Sequence, residues 1–443
     1  MRRVVPAAPD RAAGDGTLSH APSLGVLDLA AMRPFTEKAP RRVDLDDAAA
    51  HRLVSALTAS SDRAVGDLVA ELGHRVDTSP TAVLHHLLTH KRFRRGPRRN
   101  FPLPVLHDRI RRYVDAGEPV PVAMQGFPFK QCDNGLKAAG PLPDIADLGA
   151  MLRLVELQRA FTAYYPPGLN FLVMYDGGYH RPRPRADLDH YRAALRELEE
   201  LAGLAGALVW RDKHDVVADS LGAAATRRAE WIGRYQELID RLVQPAAATH
   251  DSYAAEALIA FELPPRVPRF GALYRSLVYS VPVPSPTGVP SPEWSRQVLA
   301  ELFHVDDPAA PAALRLARRA VLRRAWDDTV RYVAVAAADQ RCQVDQSLPP
   351  HLRLRSGITG QGEIGLTYLG GSALLPWHGT GCVDRRAQVA VDFRVALHDR
   401  GLVPVHCPVI GADQPFLMVP PEFVASDAAL APELLRRIRL RRR

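Results

Sequence analysis

Long apolar runs, cysteine pairs and lysines are scarce in this chain. No apolar segment approaches the roughly 20 residues of a membrane-spanning helix, and the amino terminus lacks the hydrophobic core of a secretory signal. The sequence therefore predicts a cytoplasmic protein that does not enter a membrane. No CxxC pair occurs, which argues against a structural zinc site or a disulfide framework and favours reduced thiols. The four cysteines are Cys132, Cys342, Cys382 and Cys407.

The motifs of several common enzyme classes are also missing. The chain contains no HExxH, no GxSxG and no GxxxxGK followed by Ser or Thr, so zinc-protease, hydrolase and P-loop functions lack support. A GxGxxG string at 360–365 leads into the strand-like LTY instead of a helix. That context favours a glycine-rich hairpin over a dinucleotide site. We therefore expect a site that needs neither a metal nor a cofactor.

The positive charge is concentrated in two segments. The net charge is +8, and residues 91–99 and 436–443 each contain six basic side chains and no acidic one. Without these twelve charges the rest of the chain carries about −4, so its surface is not a basic platform for nucleic acid. We interpret the two segments as solvated surface or a flexible tail and do not expect a nucleic-acid partner.

The chain has 443 residues, of which 47% are hydrophobic, and this is enough for two or three domains with real cores. Within 46–100, two helical patterns flank the helix-start signal at 77–80 and precede the basic segment. This arrangement is compatible with a DNA-binding helix-turn-helix, but a helical accessory region is the more general interpretation. The predicted parts are a disordered or draped arm (1–45), a helical accessory region (46–100), the first half of an α/β core (101–281), a Pro-rich linker or loop (282–292), and a second half with a helix, mixed strands and a basic tail (293–443).

Strand and helix patterns alternate through the middle of the chain. This alternation predicts an α/β, Rossmann-like fold with a largely parallel sheet flanked by helices. Beyond the helix at 312–338, short alternating stretches predict antiparallel strands beside or on the first sheet. The predicted parallel strands are 120–124, 169–174 and 207–210; the predicted helices are 102–116, 145–165, 191–202, 227–243 and 312–338; the predicted antiparallel strands are 352–355, 363–368, 389–396 and 403–408.

The segment from Phe127 to Asp144, hereafter the 127–144 loop, reads FPFKQCDNGLKAAGPLPD between a predicted strand and a predicted helix. Open α/β sheets bind ligands at such strand ends. Arginine supplies nearly all the positive charge of the chain, yet two of its five lysines, Lys130 and Lys137, lie in this loop. Either chance left them there, or a lysine amine is needed for binding or for chemistry.

Two further segments carry polar groups at predicted strand ends. Asp176 lies in an Asp-Gly-Gly turn that is either an ordinary turn or a way to expose the carboxylate. His378 is a candidate general base or a structural histidine, and its neighbour Trp377 is a candidate wall for a substrate ring or a packing residue. Arg353 and Arg355 share one face of a short strand, which suits a two-pronged grip on an anion or simple exposure. Together these residues predict a small anionic substrate.

The motifs from Arg109 to Gly379 resemble the pyoverdine and dityrosine biosynthesis family, whose characterised members include isonitrile synthases. The matching elements occur in the family's order over 271 of the 443 residues. They are FPFK at 127–130, Lys137 with Gly140, PLPD at 141–144, YYPPG at 164–168, YDGG at 175–178, RY at 331–332, LRLR at 352–355 and PWHG at 376–379.

The resemblance implies an enzyme that condenses an amino-acid amine with the ketone of ribulose 5-phosphate, whose ketone carbon becomes the isonitrile carbon. The implied small-molecule substrates are an amino acid and a sugar phosphate. On this interpretation, Lys130 and Lys137 hold the phosphate or move protons, and Asp176 and His378 serve the imine and elimination steps. The substrate-binding residues predicted in addition are Phe129, Asp144, Tyr175, Arg353, Arg355 and Trp377.

The sequence departs from the family pattern in the loop and in the Asp-Gly-Gly turn. Residues 132–135 replace a proline-bounded segment of the family's loop, and Tyr175 stands where Ser is usual before Asp-Gly. Two alternatives therefore stay open. One is a divergent homologue that joins a different amine to a sugar phosphate, and the other is a non-catalytic DNA-binding protein that uses the helix pair.

Overall fold

The computed structural model describes residues 42–441, apart from 76, 96–101, 266, 289–290, 304, 306, 349–351, 357–363, 371–373, 409–410 and 412. Nearly all of the predicted arm at 1–45 and most of the GxGxxG string therefore lie outside the described residues. The described helices are α1 Asp47–Gly73, α2 Pro80–Thr89, α3 Leu103–Ala116, α4 Ile145–Thr162, α5 Arg185–Leu201, α6 Lys213–Leu221, α7 Ala224–Ala247, α8 Ser252–Ile259, α9 Phe270–Leu277, α10 Pro292–Ala300, α11 Ala312–Arg341, α12 Val344–Ser347, α13 Arg394–Asp399 and α14 Pro432–Arg437.

The strands form two six-stranded sheets and one short hairpin. None of the helices in the described ranges is long and apolar enough to cross a membrane. The described strands are β1 Val43–Asp44, β2 Arg94–Arg95, β3 Val120–Gly126, β4 Leu169–Tyr175, β5 Leu208–Asp212, β6 Leu352–Arg355, β7 Ile364–Leu366, β8 Thr380–Val383, β9 Gln388–Asp392, β10 Val403–His406, β11 Pro415–Val419, β12 Val424–Ser426, β13 Ala429–Leu430 and β14 Arg439–Leu440.

The first sheet has the strand order β2-β7-β6-β3-β4-β5. Strands β3, β4, β5, β6 and β7 pair in parallel, and β2 is antiparallel to β7. The predicted α/β class with a largely parallel sheet is confirmed. The antiparallel prediction is wrong for 352–355, because β6 pairs in parallel with both β3 and β7. For 363–368 it holds on one side only, since β7 is antiparallel to β2 and parallel to β6. Alternating side chains indicate a strand, but the partner strand determines its direction.

The second sheet is mixed and has the order β1-β10-β11-β8-β9-β14. It contains the predicted strand at 403–408 and the first part of the one predicted at 389–396. The latter strand ends at Asp392, because the next backbone amides turn to the 127–144 loop. Arg394 N donates to Lys137 O at 2.9 Å and Val395 N donates to Leu136 O at 3.2 Å. Helix α13 then begins at Arg394.

Helix α4 lies between the two sheets. It packs against β4 of the first sheet, β8 and β9 of the second, and helices α1 and α2. Every residue from 145 to 157 is buried, as expected for a helix that is covered on all sides. Its start is fixed by a capping box, in which Asp144 and Asp147 bond to backbone amides. The carboxyl end of the 127–144 loop is therefore anchored to the centre of the fold.

The predicted helix pair is present as α1 and α2, and Ser79 caps α2 as the start signal indicated. The solvated interpretation of segment 91–99 is wrong for Arg92, which is 7% exposed and forms an ion pair with the fully buried Glu156 at 2.5 Å. In the Pro-rich segment, Val283 is 1% exposed and belongs to a hydrophobic core that extends from Val43 to Leu440. The domain boundaries remain a prediction.

Candidate active site

The candidate site lies at the carboxyl edge of the first sheet. Strand β3 leads into the 127–144 loop, β4 leads into the turn at Asp176, and β5 leads into Lys213. These strands are parallel neighbours, with Gly126 opposite Tyr175 and Tyr175 opposite Asp212, so their carboxyl ends meet. This is the edge at which open α/β sheets bind ligands.

The turn after β4 packs directly on the 127–144 loop. A Cβ atom on Gly177 would lie 2.1 Å from the carbonyl oxygen of Pro128, which belongs to the backbone and cannot turn aside. The next residue, Gly178, has a φ of +78°, a conformation that side chains disfavour. The Asp-Gly-Gly sequence is therefore required by close backbone contact, and it fixes the position of Asp176.

The 127–144 loop also contacts the PWHG segment at 376–379. Gln131 N donates to Trp377 O at 3.0 Å. The ammonium of Lys130 donates to Pro376 O at 2.8 Å and to Gly379 O at 3.2 Å. Segments that are almost 250 residues apart in the sequence thus meet at one edge of the sheet.

Lys130 is a buried ammonium with a full set of acceptors. Besides the two carbonyls, its Nζ atom lies 2.9 Å from Asp144 and 2.8 Å from Asp147. Burial opposes its charge, but the two carboxylates outweigh that effect and raise the pKa of Lys130. The oxygens of Asp144 also accept from Ala146 N and Gly381 N, each at 2.8 Å. These contacts fit a structural role for Lys130 and Asp144 better than the predicted catalysis and substrate contact.

Lys137 is equally buried but has neutral partners. Its Nζ atom donates to Ser280 Oγ at 2.6 Å and to Gln131 Oε1 at 3.4 Å, and among the described residues no carboxylate forms an ion pair with it. Burial, aided by the positive charge of Arg181, lowers the pKa of Lys137 to about 7, although Asp133 opposes the shift. At neutral pH a large share of this side chain is therefore a neutral amine, which can act as a base or a nucleophile.

Arg181 and Asp133, the two charged groups that act on Lys137, each pair with a further charged side chain. Arg183 donates both terminal nitrogens to Asp133, at 2.5 and 2.6 Å. Arg181 donates to Asp328 at 3.1 Å and to the carbonyl of Ser280 at 3.2 Å. The prediction missed these arginines, although the RPRPR run that follows the Asp-Gly-Gly turn contains both of them.

Asp176 faces Lys213, which the prediction also missed. Asp176 Oδ1 lies 3.2 Å from Lys213 Nζ, and the Asp176 side chain is 23% exposed. The same ammonium lies 3.4 Å from both Gln125 Oε1 and His180 Nε2, and 3.9 Å from the centre of the Tyr179 ring. The rarity of lysine could have identified Lys213, because three of the five lysines are buried near this edge.

The two clusters meet at Tyr332, from α11. Its ring stacks on His180 with centroids 4.1 Å apart and planes at 13°. Burial is the main cause of its raised pKa, and the nearby Asp176 and Asp339 raise it further, while Arg181 lowers it. Tyr332 therefore carries a neutral hydroxyl near the charged side chains of Asp176 and Arg181.

The three aromatic residues predicted to bind substrate lie in packed surroundings. Phe129 has a φ of +150°, and its ring packs on Tyr191 with centroids 5.5 Å apart. Tyr175, the last residue of β4, stacks on Trp210 with centroids 5.0 Å apart. Trp377 packs on Phe127 and Tyr368, at 5.5 and 5.4 Å. These ring contacts fit packing roles.

The remaining predicted residues lie near the same edge. His378 is buried in the turn at Pro376–His378, whose backbone binds Lys130. Arg353 bonds to the carbonyl of Asp345, and its other terminal nitrogen is 3.6 Å from the Asp345 carboxylate. Arg355, two residues further along β6, is exposed. The roles predicted for these three side chains stay predictions.

The described residues offer little support for metal chemistry or thiol chemistry. No group of three His, Cys, Asp or Glu side chains in them is placed to bind a metal ion. Burial raises the pKa of the Cys132 thiol to about 12, and Asp133 adds to the shift. Cys132 is therefore a poor nucleophile at neutral pH.

Part of the candidate site lies in a segment that matches a known protein family. Residues 110–260 match the model of the family described as pyoverdine/dityrosine biosynthesis protein. The predicted resemblance is confirmed. These residues include both lysines of the 127–144 loop, Asp176, Arg181 and Lys213, whereas Ser280 and His378 lie beyond the match.

Two curated relatives are similar over shorter segments. An L-tyrosine isonitrile synthase from Xenorhabdus nematophila is 27% identical over 140 residues, which is 30% of this chain and 41% of that protein. An isocyanide synthase-NRPS hybrid from Aspergillus fumigatus is 36% identical over 103 residues, which is 23% of this chain and 6% of the hybrid. The match therefore spans less than half the length of either relative.

The fold has a solved counterpart. The crystal structure of the PvcA protein from Pseudomonas aeruginosa superposes with a TM-score of 0.51 and 19% sequence identity. The superposition covers 76% of this chain and all of the PvcA chain. At this identity the likeness concerns the fold alone.

Proposed function

We propose that the protein is an isonitrile synthase that joins the amine of an amino acid to the ketone carbon of ribulose 5-phosphate. The observation that carries the proposal is the environment of Lys137, a buried amine bound to the Ser280 hydroxyl and close to the charge of Arg181. Two relatives named as isonitrile or isocyanide synthases support the same chemistry.

In this proposal Lys137 acts first as a general base. An amino acid carries an ammonium group at neutral pH and must lose a proton before its nitrogen can attack a ketone. A base with a pKa near 7 takes that proton efficiently at physiological pH. The nitrogen then adds to the ketone carbon, and loss of water gives an imine. Ser280, 2.6 Å from Lys137, is placed to pass protons during this dehydration.

The later steps remove phosphate and the remaining sugar carbons. They require proton transfers at the imine and neutralisation of the departing anion. Asp176 and His378 are the predicted proton-transfer groups for these steps, and the Tyr332 hydroxyl lies near both Asp176 and Arg181. Arg355, exposed at the carboxyl end of β6, is a candidate phosphate contact.

The test is turnover with ribulose 5-phosphate labelled with ¹³C at the ketone carbon, supplied with each standard amino acid in turn. We expect phosphate release and a product whose isonitrile carbon carries the label, identified by mass spectrometry and carbon NMR. If no standard amino acid gives either signal, the proposal is rejected. A labelled imine product without an isonitrile would instead indicate a divergent homologue that stops after condensation.

The DNA-binding alternative has less support. Helices α1 and α2 use their apolar faces to pack on α4, and Arg92 of the basic segment is buried in an ion pair. Salt-dependent and sequence-specific binding of duplex DNA at physiological salt would revive this alternative.

A further inference from the structure

We propose that Lys213 and Asp176 form the subsite for the amino-acid substrate, in which Lys213 binds the α-carboxylate and Asp176 binds the α-amino group. This inference rests on the proposed function and adds a binding residue, Lys213, for which no role has been assigned. It also gives the predicted residue Asp176 a specific task.

The ammonium of Lys213 is loosely held. Its polar contacts are 3.2 Å to Asp176, 3.4 Å to Gln125 and 3.4 Å to His180, and each is longer than the usual 2.9 Å of such bonds. Lys130, in contrast, has four acceptors between 2.8 and 3.2 Å. The three donors of Lys213 are thus engaged at longer distances than those of Lys130, so an oxyanion replaces a 3.4 Å contact of Lys213 more easily than any contact of Lys130.

The neighbouring carboxylate determines which oxyanion fits. A phosphate carries about −1.5 to −2 charges, and Asp176, 3.2 Å from the ammonium, would repel it. An α-amino acid brings a carboxylate and an ammonium together, so it presents one charge to Lys213 and the opposite charge to Asp176. A zwitterion matches the paired charges of this site, whereas an isolated dianion does not.

The position of the pair suits the proposed reaction. Asp176 and Lys213 follow the carboxyl ends of the adjacent strands β4 and β5, and Gly177 holds the Asp176 turn against the 127–144 loop. The proposed subsite therefore lies at the carboxyl edge of the sheet, in contact with the loop that contains Lys137.

The test measures binding and does not need turnover. Equilibrium dialysis would determine Kd for the standard amino acids, for the corresponding amines that lack the carboxylate, and for ribulose 5-phosphate. The proteins would be the wild type, Lys213→Met, and the control Arg211→Met. Arg211 lies two residues earlier, on the edge strand β5 that precedes Lys213, but it is exposed and pairs with Asp219. A thermal melt of each variant checks that it is folded.

We expect Lys213→Met to raise the Kd of the preferred amino acid roughly tenfold to a hundredfold, the usual effect of losing a charged hydrogen bond. The Kd of the amine and that of ribulose 5-phosphate should change less than twofold, and Arg211→Met should match the wild type. The wild type itself should bind the amino acid at least tenfold more tightly than the amine. This last measurement needs no variant, so it stands even if Lys213→Met fails to fold.

Three outcomes would overturn the inference. A selective loss of ribulose 5-phosphate binding in Lys213→Met would assign the ammonium to the phosphate. Unchanged binding of all ligands would make the Lys213–Asp176 pair structural. Equal affinity of the wild type for amine and amino acid would exclude a carboxylate contact. If turnover occurs while any of these holds, only the subsite is wrong and the proposed function stands.

Discussion

Lys130 and Lys137 are seven residues apart on one loop and are buried to the same degree, yet they are in opposite states. Lys130 is surrounded by two carboxylates and two carbonyls, which keep it an ammonium. Lys137 meets a hydroxyl and an amide, and the guanidinium of Arg181 lies nearby, so its amine is favoured. Burial alone does not determine the charge of a lysine, because the partners inside the protein decide it.

The difference divides the 127–144 loop into two parts. The part around Lys130 links β3, α4 and the PWHG segment into a fixed frame. The part around Lys137 contains a lysine that exchanges its proton near neutral pH, which Lys130 does not. We infer that the first lysine holds the loop and the second performs chemistry, and the following predictions test this division.

The largest expected effect is on stability, from Lys130→Met. Removal of the ammonium leaves Asp144 and Asp147 buried without their counter-charge, which costs about 3–5 kcal/mol. Urea denaturation followed by circular dichroism measures the change in the free energy of unfolding. The matched control is Lys91→Met, because Lys91 is exposed and its loss should change stability by less than about 0.5 kcal/mol. A Lys130→Met protein as stable as the control would contradict the structural role.

The next effect is on rate, from Lys137→Met. We expect kcat/KM to fall by about 10²–10⁴-fold, the range for loss of a general base, while the thermal midpoint does not fall. In the wild type the rate should rise with pH through about 7, because the base form of Lys137 increases above its pKa. Steady-state rates measured between pH 5.5 and 9 check this increase. If the same increase persists in Lys137→Met, it belongs to another group.

The same lysine makes stability depend on pH. The pKa of Lys137 falls from an ordinary value of 10.5 in the unfolded chain to about 7 in the folded protein, so between these values the unfolded chain binds more protons. The free energy of unfolding therefore rises with pH across this interval. Lys137→Met should remove this rise, and the difference between the two proteins should be largest below pH 7. Parallel stability curves would show that Lys137 remains charged when folded.

A smaller effect tests the contact between the loop and the Asp176 turn. Gly177→Ala places a Cβ atom 2.1 Å from the Pro128 carbonyl, which should cost about 1–3 kcal/mol and reduce activity because the turn moves. Gly233→Ala is the control, since this helical glycine has open space around it and should gain up to about 1 kcal/mol. Equal stability of the two variants would mean that the loop and the turn do not touch.

The sequence predicted which segments form helices and strands, but not which strands pair with one another. The period of apolar residues located α3, α4 and α11, and Gly117 marked where α3 ends. The direction of β6 was wrong, because a strand of four residues pairs according to contacts that are more than 200 residues away in the chain. Helix α13 was missed, since backbone bonds to the 127–144 loop, and not local propensity, end the preceding strand.

For the site, the rarity of lysine identified more of the buried charged residues than the position of the motifs did. The scarcity of lysine identified Lys130 and Lys137, and the same argument extended to the whole chain would have included Lys213. It could not distinguish their charge states, which depend on Asp147 and Ser280. Tyr175 entered the prediction as part of the YDGG motif, and its ring stacks on Trp210, a contact that the sequence does not reveal.

The bonds from Lys130 to Pro376 and Gly379 also determine when the site can form during synthesis. They join residues 246 and 249 positions apart. A ribosome that adds about 5–20 residues per second needs roughly 12–50 s between them. Throughout that interval the loop lacks its partner segment. The ammonium of Lys130 therefore gains its full set of acceptors only after the last third of the protein has begun to emerge.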